Sequence, residues 1–293
     1  MAYRRAGARA THIGPAAAPS ARVDSPAMTT FRERYGRWAV VAGASEGLGA
    51  AFGHALAARG CDVVLLARRE AALADVAASI RARHGVEVET RALDLADPAL
   101  AARLGEVAAG RELGVAVYNA AYSFIGPLLA PPLSEALRVV DVNCRGPLVF
   151  AHALVPSMVE RRRGALVLMS SLAGFQGAPG LATYAASKAF TTVLGESLAS
   201  ELRPQGVDVL VSAAGAIRTP SYLRTTKKEA PGTLSAEAVA ERTLSALGAR
   251  SLLVPGAVNQ VARFVLGRVL PRSSAVGIME RSTRDLSNPD PVG

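Results

Sequence analysis

From Arg37 onward, short apolar runs alternate with alanine-rich stretches of helical spacing. The runs are Trp38–Ala42, Asp62–Ala67, Val86–Ala92, Val115–Asn119, Ala165–Ser170 and Val207–Ser212. Stretches such as Ala50 to Arg59 and Glu70 to His84 separate them. The runs are nearly continuous in apolar residues rather than alternating, as expected of strands covered on both faces. Strands that alternate with helices imply βαβ units. The pattern predicts an α/β fold: one doubly wound parallel sheet, helices on both faces, over residues 34–256.

The two ends read differently. Residues 1–33 are rich in Ala, Arg, Pro and Gly and lack apolar periodicity, so a disordered N-terminal extension is expected. Arg4-Arg5 is not followed by the apolar segment that a twin-arginine export signal needs. Met28 opens a more ordinary start, MTTFRERYGRWAVV, so the residues before it read as a dispensable extension or a misplaced start. After Pro220 the pattern loosens, and residues 221–234 read as a loop. Ser235 is a helix cap for a segment running to about Gly248, and Leu252–Val254 suits one more strand. Val258, Val261, Val265 and Val269 then recur at near-helical spacing, opposite Gln260, Arg263 and Arg268. They predict an amphipathic helix in a C-terminal extension over 257–293, packed on the domain, in a subunit contact, or on an anionic membrane surface.

Composition narrows the classes. No apolar run among the 293 residues reaches the length of a spanning helix. Cys61 and Cys144 form no CxxC or Cys/His cluster, which argues against structural zinc and a disulfide framework and fits a reducing compartment, the cytoplasm. The net charge of +9 comes from scattered basic residues, and aromatics are few, so no base-stacking platform and no nucleic-acid partner are expected. His54, His84 and His152 lack ligand-like spacing, and no metal is called for.

Candidate chemistry begins where the first run ends. Val40-Val41-Ala42 leads into Gly43-Ala44-Ser45-Glu46-Gly47-Leu48-Gly49 and then a helix. Glycines there allow a tight turn and close backbone approach to a pyrophosphate, and the next helix offers its free N–H groups. The spacing is GxxxGxG rather than GxGxxG, so its weight comes from the strand before and the helix after. The second run ends in Ala67-Arg68-Arg69, where an NAD-preferring site would carry a carboxylate for the ribose 2′-hydroxyl. A guanidinium there pairs with a 2′-phosphate instead, which favours NADP.

Further on, Tyr184-Ala185-Ala186-Ser187-Lys188 lies in a segment that reads as helix through about Leu202. Residues four apart share a helix face, so the Lys188 ammonium is expected beside the Tyr184 phenol and is expected to lower its pKa toward working range. Ser170-Ser171 ends an apolar strand, where an open α/β sheet aims hydroxyls into the ligand crevice.

Together these residues resemble the short-chain dehydrogenase/reductase family, over about residues 37 to 255, a Rossmann-type fold. The family's glycine motif is similar to Gly43, Gly47 and Gly49, with Ser45 and Leu48 between them. Its catalytic tyrosine and lysine fall on Tyr184 and Lys188, and its serine, thirteen residues before the tyrosine, on Ser171. Its asparagine falls on Asn143 in Val140-Asp141-Val142-Asn143. The resemblance implies adenine contacts at Asp94 and Leu95, a ribose segment at Asn119-Ala120-Ala121, the 2′-phosphate at Arg68, the carboxamide at Ile217 and the phosphates at Thr219. Departures stand at Ala42, Tyr118, Ala121 and Ala214, where the family carries Thr, Asn, Gly and Pro; none removes a catalytic group.

The resemblance implies an NADP(H)-dependent oxidoreductase acting on a carbonyl or secondary alcohol, and a homodimer or homotetramer. Ser171 would hold the carbonyl oxygen, Tyr184 would donate its proton, Lys188 would tune Tyr184 and bind the nicotinamide ribose, and Asn143 would support a water leading to solvent. Leu172, Phe175, Leu181 and Tyr222 suggest an apolar pocket for a hydrophobic ketone or acyl substrate. The alternatives are a catalytically silent NADP-binding scaffold or sensor, and a membrane-surface reductase of lipid-like ketones.

Overall fold

The computed structural model describes residues 30–226, 228–284 and 286. Residues 1–29 of the expected disordered extension lie outside them. Its last residues, 30–33, are ordered: Thr30 and Glu33 form a capping box that opens α1 (Phe31–Tyr35).

The chain then alternates as its apolar runs dictate, through β1 (Trp38–Ala42), α2 (Gly47–Ala57), β2 (Asp62–Ala67), α3 (Glu70–His84), β3 (Val88–Ala92), α4 (Leu100–Ala108) and β4 (Leu113–Tyr118). Next come α5 (Leu133–Val140), a π turn over Asp141–Arg145, α6 (Gly146–Glu160), β5 (Gly164–Ser171), a short 3₁₀ turn (Leu172–Phe175), α7 (Ala182–Leu202) and β6 (Val207–Ala214). After β6 stand β7 (Ile217–Arg218), α8 (Pro220–Thr225), β8 (Leu234–Ser235), α9 (Ala236–Ser245), β9 (Leu252–Leu253), α10 (Ala257–Phe264), a π turn over Val265–Val269, and α11 (Arg272–Thr283).

Seven strands form one sheet in the order β3-β2-β1-β4-β5-β6-β9. All its pairings are parallel. Strand β1 lies between β2 and β4, so the order reverses there, and ligands of open α/β sheets bind outside the carboxyl ends at such a point. Successive side chains of β1 point to opposite faces. Ala39 and Val41 enter the layer with Phe52, Leu56, Ile80 and Val239. Val40 and Ala42 enter the opposite layer with Leu104, Phe150, Leu154 and Met158. These two layers are the main core, one on each face of the sheet.

Differences from the expected elements are local. Strand β3 begins at Val88 rather than Val86, and β4 covers Leu113–Tyr118 rather than Val115–Asn119. The expected loop at 221–234 contains most of α8: the Thr219 hydroxyl accepts from Tyr222 N, and Pro220 supplies a fixed φ at the first helical position. The C-terminal helix is broken at Pro271 into two pieces, α10 with its π turn, and α11.

Candidate active site

The glycine loop is shaped by contacts that only hydrogen can fill. A Cβ on Gly43 (φ 81°) would lie 2.7 Å from Ala120 Cα, and one on Gly49 would lie 1.9 Å from Gly43 O. The loop is therefore folded back on itself against the end of β4, where Asn119 Nδ2 donates to Gly43 O at 2.9 Å. Gly47 (φ 56°) packs against the Thr219 methyl group. Leu48 is buried beneath the loop. Helix α2 starts at this loop with Glu46 in the capping position, yet that side chain makes no cap hydrogen bond. First-turn N–H groups thus lack a side-chain acceptor, and the donor set fits a pyrophosphate.

Around this loop stand the other residues expected to hold the dinucleotide. Asp94 follows β3, bonded to Arg138 at 2.9 Å and to Ala96 N at 3.0 Å. Leu95 is core, so its backbone is what it can offer a ligand. Arg68 is exposed at the end of β2, with its charge close enough to Asp94 to help hold that carboxyl below its ordinary value, although burial opposes the shift. Arg69 is the guanidinium that reaches the glycine loop, 3.1 Å from Ser45 Oγ. Sequence reasoning singled out Arg68; spacing alone does not tell which of two adjacent arginines turns toward the loop.

The chemical groups converge at the end of β5. Adjacent residues of a strand face opposite ways. Ser170 is buried against α7, its hydroxyl donating to Lys188 O at 2.8 Å and meeting Thr192 Oγ1 at 2.7 Å. Ser171 faces the other way; its hydroxyl accepts from Ala173 N at 3.2 Å and is near enough to the Tyr184 phenol to draw its pKa down. Ser170 thus fixes the height of α7, while Ser171 meets the phenol. Gly174 lets the 3₁₀ turn press on α7, since a Cβ there would lie 2.8 Å from Lys188 C.

Lys188 is 4% exposed, and its Nζ donates to Met169 O at 2.9 Å. That nitrogen lies 5.6 Å from the Tyr184 ring centroid. Burial pulls the Lys188 ammonium down to about 8. Burial also holds the Tyr184 hydroxyl above its ordinary value, with the Ser171 hydrogen bond pulling it back. The expected lowering of the phenol by Lys188 is not found here, because desolvation outweighs a cation held at the Met169 carbonyl. A neutral phenol is the form that can give a proton.

Asn143 sits in the π turn between α5 and α6, a break in helical register of the kind that often marks a functional position. Its amide is fully engaged. Oδ1 accepts from Tyr122 N at 2.8 Å, and Nδ2 donates to Tyr122 O at 2.8 Å and Ser187 Oγ at 3.0 Å. The side chain therefore braces the Tyr122 segment against α7. Nearby, Tyr118 donates to Val142 O at 2.6 Å in the space that Gly146 leaves open. That contact accounts for a tyrosine where the family carries asparagine.

On the substrate side, Leu181 and Tyr184 pack with Met279 of α11 beside Ala173, Ala178 and Ala185. Thr283 at the end of α11 donates to Pro179 O at 2.8 Å. Arg263 of α10 stacks over Phe175, its Cζ 4.6 Å from the ring centroid. The C-terminal helices thus cover the apolar residues next to the phenol. Tyr222, also expected in the pocket, is tied into α8 and accepts from Ala230 N through its hydroxyl. No group of three or more potential metal ligands occurs among the described residues.

The sequence profile of a family described as short chain dehydrogenase matches residues 37–230. The chain is 36% identical over 200 residues to the very-long-chain 3-oxoacyl-CoA reductase of Pyricularia oryzae, a match that covers 64% of this chain and 60% of that protein. The chain thus spans about three fifths of the length of that relative. A solved structure reported for 7beta-hydroxysteroid dehydrogenase stereoselectivity superposes with a TM-score of 0.80 at 28% identity, covering 85% of this chain and 99% of that one. A short-chain dehydrogenase from Sphingobium yanoikuyae in complex with NADPH gives a TM-score of 0.68 at 29% identity, over 75% and 87% of the two chains.

Proposed function

The chain belongs to the short chain dehydrogenase family, and on that membership and the geometry of its site we propose that it is an NADP(H)-dependent oxidoreductase acting on a hydrophobic ketone, acyl carbonyl or secondary alcohol. The observation that carries this reading is the meeting of Ser171, Tyr184 and Lys188 at the end of β5, on the same sheet edge as the glycine loop.

NADPH, when bound, supplies the hydride. Gly43, Ser45, Gly47, Leu48 and Gly49 would hold its pyrophosphate with the first turn of α2, and Asp94, Leu95, Asn119 and Ala120 would border the adenosine. Arg68 and Arg69, with no carboxylate at the end of β2, fit a 2′-phosphate. Thr219, its methyl group against Gly47, and Ile217 of β7 would border the nicotinamide end. Ser171 donates a hydrogen bond to the substrate oxygen and fixes it for attack. Tyr184 gives that oxygen its proton as charge develops. Lys188, its Nζ 5.6 Å from the Tyr184 ring centroid, would bind the nicotinamide ribose hydroxyls. Asn143 positions Tyr122 and Ser187 around them.

The substrate class rests on the apolar cover of Leu181, Phe175 and Met279, and on relatives named for 3-oxoacyl-CoA and hydroxysteroid chemistry. The convergent catalytic groups favour an enzyme over a silent scaffold. The test is transfer of label: NADPH carrying two deuteriums at C4 of the dihydronicotinamide, with a panel of hydrophobic ketones, should give alcohols carrying deuterium on the carbinol carbon, and alcohol formed without the label overturns the reading.

Two surfaces suggest partners. Leu133, Leu137 and Leu148 on α5 and α6 and Val193 on α7 are large apolar residues left exposed, Leu133 at 73% and Val193 at 64%, and they suit a second copy in a homodimer or homotetramer. On α10 and its π turn, Val258, Val261, Phe264 and Val269 are also more than half exposed, with Arg263, Arg268 and Arg272 nearby. That combination suits peripheral contact with an anionic bilayer. No described helix is long and apolar enough to cross a membrane. The free thiols of Cys61 and Cys144 are compatible with a cytoplasmic setting.

A further inference from the structure

Glu46 stands between two guanidiniums that approach it from different elements. Arg69, at the start of α3, lies 3.1 Å from one carboxylate oxygen, and Arg224, on α8, lies 3.1 Å from the other. The Arg69 nitrogen involved also meets Ser45 Oγ at 3.1 Å. Glu46 occupies the capping position of α2, where an Asp, Asn, Ser or Thr would bond the helix N–H groups, and it makes no such bond. Its carboxylate is turned outward, and α8 is tied to the glycine loop through it. A second tie is the Thr219 methyl group against Gly47.

We propose that Glu46 is the internal counter-ion of the 2′-phosphate subsite, a specificity-setting residue that gives up Arg69 to the phosphate while keeping Arg224 and α8 in place. This rests on the NADP reading above. A carboxylate carries one charge, whereas the 2′-phosphate carries between one and two and offers three acceptor oxygens to a guanidinium fork. Arg69 therefore exchanges one charged partner for a stronger one when NADP(H) enters. When the cofactor leaves, Glu46 restores a partner to Arg69. The carboxylate lowers affinity for the phosphorylated cofactor and eases its departure, and it has no comparable competitor in NADH, which lacks that phosphate.

The experiment is fluorescence titration of the full chain with NADPH and NADH, with stopped-flow release of each. Glu46→Gln should raise the NADPH-to-NADH affinity ratio roughly two- to fivefold, the range expected of an exposed ion pair, and slow NADPH release relative to NADH release, its amide oxygen keeping a hydrogen-bond acceptor for Arg224. In an Arg69→Ala background the same substitution should have no effect on the NADPH-to-NADH ratio, because the contested guanidinium is gone. Arg224→Ala should speed release of both cofactors and leave their ratio alone. An equal gain for NADPH and NADH in E46Q, or a persisting ratio change without Arg69, overturns the proposal. Wild-type protein that binds NADH as tightly as NADPH, with no loss on Arg69→Ala, would instead overturn the cofactor reading itself.

Discussion

Burial draws the Lys188 ammonium down to about 8 while its Nζ keeps the Met169 carbonyl as a partner. Its charged form is the useful one, so the rate of carbonyl reduction should decline as pH rises through about 8. Lys188→Arg keeps a permanent cation and should remove that decline from the kcat/KM profile, even though turnover itself drops. The same burial has a consequence for stability. A lysine whose folded pKa is depressed contributes stability above its unfolded value of 10.5, and that contribution is lost as pH falls through about 8. Lys188→Met should therefore raise the thermal midpoint at pH about 7 and lose its advantage between about 8 and 10.5; an advantage independent of pH would contradict the assignment. Spacing revealed that Tyr184 and Lys188 share a helix face. It carried no information on desolvation, which reverses the expected direction for the phenol. The choice of Ser171 over Ser170 was legible only through the resemblance, whereas the structure gives its reason in the opposite facings of adjacent strand residues.

At the scale of elements, α2 and α3 meet through His54 and His84, whose rings are joined Nδ1 to Nε2 at 3.2 Å. Burial lowers the His54 pKa, the charges of His84 and Arg83 add to this, and Glu237 opposes it. The contact needs a neutral ring. Stability should accordingly fall as pH drops below the ordinary histidine value of 6.5, since the unfolded chain then binds the extra proton. His54→Gln should flatten that fall in thermal melts between pH about 7 and 5; an unchanged slope would place the sensitivity elsewhere. The sheet and its order follow from apolar runs long enough to be covered on both faces. The π turn at Asn143 does not show in the pattern, because one inserted residue shifts helical register without changing which residues are apolar. Helix α8 was missed although its signal, Thr219 followed by Pro220, was present; the polar residues after it masked the short helix.

At the scale of the whole molecule, two apolar faces are exposed among the described residues, on different elements, and they separate two kinds of association. Light scattering should find a dimer or tetramer, and Leu133→Glu with Val193→Glu should reduce it to monomer; an unaltered mass would remove α5–α7 as the contact. Flotation with phosphatidylserine vesicles should carry the chain upward, and Val261→Glu with Phe264→Glu should abolish this; equal flotation of the variant would exclude the α10 face. Periodicity shows the C-terminal amphipathic stripe but not its break at Pro271 or the packing of Met279 on the alanine cluster that Tyr184 also meets, because such long-range packing leaves no local pattern.

The measurement that bears most directly on the account is NADPH binding and NADPH consumption by Tyr184→Phe, side by side with wild type, on a ketone that the wild type reduces. Loss of the hydroxyl should leave the dissociation constant within a few fold and cut turnover by about 10²- to 10⁴-fold, the usual contribution of a positioned proton donor. Near-normal turnover in that variant would contradict the assignment of Tyr184 as the acid.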